Sequence, residues 1–250
     1  MIISKALSQN VSSFPPCGGK EEQRIPLGVP DAALKGGLSL SELHELAPAS
    51  PFQHGAALGF ALALAAQTPS QDGAIVFVQQ DFAALEAGAL YGLGSAPFGI
   101  DVKRLLLVRA ATPKDVLWAT EESLKTRGVA AVIGEMAGTA EAADLTATRR
   151  LSLAAQKGRA LALLLRQHVS PAPSAAATRW RVSSAPGAGD FYGGLGRTAF
   201  HLTLTKNRRG ACGTWVLQWD DDGSRFEPAL PRAVAAAPFD RPAETAIAGA

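Results

Sequence analysis

Continuous apolar runs separated by helix-length segments constrain this chain more than any other feature. Residues 43–47 form a short buried-strand candidate. Residues 74–78 (AIVFV), 105–108 (LLLV), 129–134 (VAAVIG) and 160–165 (ALALLL) are nearly unbroken apolar stretches. A strand with one wet face alternates in polarity, whereas an unbroken run must be covered on both faces. Between the runs, residues 54–67, 82–93, 114–126 and 145–157 read as helices, with Phe60 and Leu64 one turn apart in the first of them. Strand and helix in alternation predict an α/β fold: a mainly parallel sheet flanked by helices. The pattern changes after Ala177. Residues 178–182, 199–205 and 214–219 read as strands joined by Gly-rich turns with no helix between them, which predicts antiparallel strands added at the C-terminal side.

With 250 residues and 47% hydrophobic composition, the chain can bury a sizeable core. Residues 1–24 mix Ser, Pro, Gly and charge, including the run Phe14-Pro15-Pro16-Cys17-Gly18-Gly19, and are expected to be a mobile arm. Residues 25–232 hold the predicted domain. The Ala- and Pro-rich segment 233–250 is expected to be a disordered tail. Cys17 and Cys212 lie far apart without metal-ligand spacing, so no metal is expected and a reduced, cytoplasmic setting fits them. The first residues lack a signal-peptide core, and no apolar run reaches the roughly 18 residues of a membrane span.

Net charge is +2, but it is unevenly spread. Residues 1–144 carry 10 Lys and Arg against 15 Asp and Glu, while residues 145–232 carry 13 against 5. The basic second half is suited to nucleic acid or an acidic partner; the plainer reading is a soluble basic surface.

The segment Gly28 to Leu38 ends in Gly36-Gly37-Leu38 just before the strand Glu42-Leu43-His44-Glu45-Leu46. It resembles the lead-in of RecA-type proteins, where such a turn enters the strand before the phosphate loop. That register places residues 48–55 (PASPFQHG) where GxxxxGK[ST] would stand. Every functional position differs: Pro48 and Gln53 replace the two glycines, His54 the lysine, and Gly55 the hydroxyl residue. A working loop needs free backbone N–H groups around phosphate, a lysine on the outer phosphates and a hydroxyl on Mg²⁺. Pro48 and Pro51 donate no N–H, Gly55 has no hydroxyl, and His54 is shorter than lysine and mostly neutral at pH 7. The loop is therefore degenerate, no nucleotide cofactor is expected, and no catalytic residue is nominated. His54 reads either as a residual phosphate contact or as a surface residue at a helix start. Glu135, after the run 129–134, stands where RecA-type ATPases place an acid, and reads otherwise as a local cap or pair.

Further segments narrow the resemblance: residues 117–124 (LWATEESL), 145–155 (LTATRRLSLAA), 178–182 (TRWRV), Lys206-Asn207-Arg208-Arg209-Gly210 and 215–220 (WVLQWD). Their order and spacing resemble the inducible mutagenesis protein A family of bacteria, from about Leu27 to Phe226, although Pro30-Asp31 departs from the family pattern. The resemblance implies a RecA-like core related to the SulA division inhibitors. It further implies a non-catalytic accessory role in SOS-induced, error-prone translesion DNA synthesis. The implied partners are a catalytically inactive Y-family polymerase homologue, an error-prone C-family polymerase and RecA. Rival readings are a division inhibitor that binds the tubulin-like division protein, and an ATPase with an unusual loop.

Candidate contacts to DNA or to a partner are basic. Arg149 and Arg150 lie on a helix whose buried stripe is Ala147, Leu151, Ala154 and Ala155. Arg179 and Arg181 alternate with Trp180 and Val182, which puts both arginines on one strand face. Lys206, Arg208 and Arg209 form a Gly-ended turn able to grip a phosphate backbone, possible single-stranded DNA included, without reading sequence. Each cluster also reads as a solvated face, and Trp180, Trp215 and Trp219 read as packing groups.

Overall fold

The computed structural model describes residues 23–70, 72–137, 143–187 and 196–229. Six strands run parallel: β3 (Leu43–Pro48), β4 (Ala74–Gln80), β5 (Leu105–Ala110), β6 (Val129–Met136), β7 (Leu161–Arg166) and β8 (Thr178–Ala185). Three antiparallel strands follow, β9 (Ala199–Asn207), β10 (Gly213–Asp220) and β11 (Arg225–Pro228), completing one nine-stranded sheet in the order β11-β10-β9-β8-β3-β7-β6-β4-β5. All residues of β3, β4, β6 and β7 are buried, as the unbroken apolar runs within β4, β6 and β7 require. A small hairpin-like pair, β1 (Arg24–Ile25) and β2 (Leu38–Ser39), lies outside this sheet and flanks the short helix α1 (Asp31–Leu34).

The helices cover both faces. α2 (His54–Ala66) packs on one, where Leu46, Phe77, Ile133, Leu163 and Trp180 point. α4 (Pro113–Lys125) and α5 (Leu145–Gly158) pack on the other, over Val76, Val78, Val132 and Leu164. Ile75 and Phe77 facing α2 while Val76 and Val78 face α4 is the period-two alternation of a strand buried on both sides. Side chains fix the helix starts. Thr112 and Asp115 form a reciprocal capping box before α4, and the Asp144 carboxylate accepts from the Ala147 amide at 2.7 Å before α5.

Two expectations change. The predicted helix over 82–93 is only α3 (Asp81–Ala87), because Gly88 turns out of it at φ +91° and a 3-10 segment, Gly92–Phe98, follows. The strand over 178–182 was expected within the antiparallel extension, but β8 pairs parallel to β3, and the antiparallel part starts at β9. The β7–β8 crossover passes over β3 without a helix, so the usual mark of a parallel connection is missing. Of the expected arm 1–24, only Gln23 and Arg24 fall among the described residues, and Arg24 opens β1; the expected tail 233–250 lies outside them. No helix among the described residues is long and apolar enough to cross a membrane.

His44, inside β3, is fully buried in a hydrogen-bond relay. The Trp180 indole N–H donates to Thr178 Oγ1, which lies 2.8 Å from His44 Nδ1, while His44 Nε2 lies 2.7 Å from the Ser39 carbonyl. A carbonyl only accepts, so Nε2 carries the proton and Nδ1 accepts from Thr178. Burial, with the nearby Arg209 charge adding, lowers the His44 pKa to about 4, against an opposing contribution from Ser39. Because the folded pKa is depressed, this stabilisation is complete above pH 6.5 and is lost as pH falls from 6.5 towards 4. The expected loss is about 3 kcal/mol. Urea midpoints at pH 7 and pH 4.5 check this: the drop should shrink in His44→Gln, and an equal drop in both proteins contradicts it.

Candidate functional site

The carboxyl ends of β3, β4, β6 and β7 meet where open parallel sheets hold ligands. β3 ends at Pro48, a 3-10 turn spans Pro51–Gln53, and α2 starts at His54, which is the strand–loop–helix context of a phosphate loop. The loop is tied to its own protein. The Ala49 amide donates to the Val182 carbonyl (2.7 Å), and Gln53 Oε1 accepts from both the amide and the hydroxyl of Ser184 (2.8 and 2.9 Å). The Gln53 amide donates to the Ser50 carbonyl. With Pro48 and Pro51 lacking an N–H, little of a phosphate cradle remains.

His54 and Glu135, read separately from the sequence, come together. His54 Nε2 lies 2.6 Å from Glu135 Oε1, and the carboxylate is 1% exposed. The contact is one of proximity, since neither atom makes an aligned hydrogen bond. The other carboxylate oxygen accepts from Gln79 Nε2 (2.8 Å), which also donates to the Gly88 carbonyl (3.0 Å). Gln167 Nε2 donates to Glu86 Oε2 (2.6 Å), joining the chain beyond β7 to α3. The two residues that the resemblance to RecA-type proteins aligned with the lysine and the acid are thus in contact. The remaining pocket, lined by Pro51, Phe52, His54, Glu86, Gln167 and His168, has a volume of about 330 Å³. Phe52 stands 96% exposed at its rim.

The basic residues divide. Arg149 and Arg150 are exposed on α5, and Arg150 pairs with Glu121 across to α4 at 2.7 Å. Arg181 is exposed and reaches the Ala49 carbonyl at 3.4 Å. Arg179 lies on the same strand face but is only 14% exposed at its side chain: Nε donates to Glu45 (2.7 Å), and its two terminal nitrogens donate to the Ser170 and Ala172 carbonyls. Lys206 donates to the Ser174 carbonyl at 2.6 Å, and burial, then Arg179, lowers its pKa. Arg208 is exposed and donates to the Ala175 carbonyl (3.3 Å), and Arg209 pairs with Glu42 (3.0 Å). Three of the seven therefore hold the segment 170–175 in place. Arg179's partner Glu45 is 1% exposed and has Arg166 at 3.4 Å on its other oxygen. The sequence reading missed this triad, although a carboxylate inside a buried strand was its signal.

No family model matches the chain. It is 36% identical over 174 residues to Protein ImuA of Caulobacter vibrioides, in both strain NA1000 / CB15N and strain ATCC 19089 / CIP 103742 / CB 15. The match covers 64% of this chain and 66% of each relative, just under two thirds of their length.

Proposed function

Because the chain belongs to the ImuA family, we propose that it is a non-catalytic accessory protein of damage-induced, error-prone translesion DNA synthesis. The proposed core is RecA-like with its nucleotide site closed. The observation that carries this is the 2.6 Å contact of His54 with Glu135 in a loop tied to β8 through Gln53. Phosphate would have to displace a buried carboxylate's partner and would find neither lysine nor hydroxyl in return. The chain then contributes surfaces. Its proposed partners are an inactive Y-family polymerase homologue, an error-prone C-family polymerase and RecA.

Affinity capture with the purified chain tests the role. Retention of the inactive polymerase homologue is the expected result; retention of the tubulin-like division protein in its place would establish a SulA-like division inhibitor instead. Calorimetry tests the closed site: no saturable heat is expected with millimolar Mg·ATP. An isotherm that disappears in His54→Ala would overturn the non-catalytic reading.

A further inference from the structure

We infer that the outer surface of α5, with the Trp118 groove on one flank and Arg208 on the other, is a binding track for single-stranded nucleic acid; this rests on the accessory role in DNA synthesis proposed above. Residues 145–177 contain five Lys or Arg and no Asp or Glu. On α5, positions 145, 149, 153 and 157 recur every fourth residue and share one outward stripe. They are Leu145 (50% exposed), Arg149, Leu153 (57% exposed) and Lys157, with both cations exposed. Cations and apolar groups alternate along it.

Each flank extends the stripe. On one side, Ala175 ties α5 to the basic turn: its amide donates to Thr148 Oγ1 (3.0 Å), next to Arg149, and its carbonyl accepts from Arg208 (3.3 Å). Ala175 thus links α5, through Thr148, to the turn that carries Arg208. On the other side, α4 and α5 enclose a groove of about 350 Å³ lined by Lys114, Trp118, Glu121, Asp144 and Arg150. Trp118 is 39% exposed there. Both acids of the groove are engaged, Glu121 with Lys125 and Arg150, and Asp144 with the Ala147 amide. Glu121 is thus neutralised by its two cations, while Asp144 caps α5 and leaves one exposed carboxylate at the start of the helix.

Cations along the stripe suit phosphates, and an aromatic wall flanked by Lys114 and Arg150 suits the π-face of an unpaired base. A duplex keeps its base faces stacked, so Trp118 favours a single strand. An acidic protein segment would use the cations but would draw nothing specific from Trp118.

The test is fluorescence anisotropy of the full chain with fluorescein-labelled oligo(dT) at several salt concentrations. Arg149→Ala with Arg208→Ala, both exposed, is expected to keep the fold. It should lower the slope of log affinity against log salt by about 1.4, roughly 0.7 per phosphate contact. Trp118→Leu is expected to weaken binding by about tenfold with the slope unchanged. Arg225→Ala, on β11 at the sheet edge remote from α5, should match the parent. No binding at low salt, equal binding of duplex, displacement of oligo(dT) by polyglutamate at equal charge concentration, or an arginine double variant with the parent's affinity and slope would each overturn the track. Capture of the polymerase homologue would be untouched by those results, so failure of the track and failure of the accessory role are distinguishable.

Discussion

Glu45→Ala is expected to destabilise the protein by about 3–5 kcal/mol, the range for stripping one partner from a buried ion pair. Among the described residues, Glu45 is the only carboxylate that pairs with the guanidiniums of Arg166 and Arg179, whose side chains are 8% and 14% exposed. Without it, two like charges face each other in a site shielded from water. The Arg166 Nη2 bond to the Ala143 carbonyl (2.8 Å) does not neutralise either. Coulomb repulsion and lost solvation therefore act in the same direction. Urea denaturation at pH 7 reads the effect, and a loss under about 1 kcal/mol would mean water already solvates the triad. Adding Arg166→Met to Glu45→Leu removes the like-charge repulsion and should recover part of the loss, with Arg179 still lacking its carboxylate. Arg179 also holds the Ser170 and Ala172 carbonyls, so Glu45→Ala should speed amide exchange across 170–177.

The sheet was legible because its evidence is local. Runs such as AIVFV and VAAVIG each state that both faces are covered, and the structure buries every residue of β4 and β6. The site was half legible. Pro48, His54 and Gly55 depart from the phosphate-loop pattern at positions readable from the sequence alone. That His54 meets Glu135 depends on the order β3-β7-β6, which no local pattern encodes. Arg179 and Arg181 show the same limit. Alternation correctly opposes them to the buried Trp180 and Val182, yet the segment 170–175 covers Arg179 and leaves Arg181 open. Proline and small residues dominate that segment, so its sequence carries no periodicity to reveal the cover. Glu45 differs: a charge in a run otherwise destined for burial already demands a partner.

Phe60→Ala is expected to cost about 3–5 kcal/mol, whereas Phe52→Ala, eight residues earlier, should stay within about 0.5 kcal/mol. Composition and hydropathy treat the two alike, and their surroundings separate them. Phe52 is 96% exposed at the pocket rim. Phe60 is fully buried on α2, with ring centroids 5.9 Å from Trp180, 5.7 Å from Phe200 and 5.4 Å from Phe226. Those partners lie on β8, β9 and β11, so one side chain joins the helix after the 48–53 loop to the parallel edge and to the antiparallel extension. The cavity left by alanine would be walled by rings held in their own strands, which limits collapse and keeps the cost near the top of the range. A loss of that size reaching the loop should also expose the His54–Glu135 contact, because His54 is the first residue of the helix that Phe60 anchors. Urea midpoints give the stability change, and amide exchange over 54–60 gives the loop's response. If Phe60→Ala unfolds like the parent, the three ring contacts contribute little and α2 is held by its alanine-rich face alone. If Phe52→Ala is the more costly of the two, the exposed rim carries contacts that its surroundings here do not include.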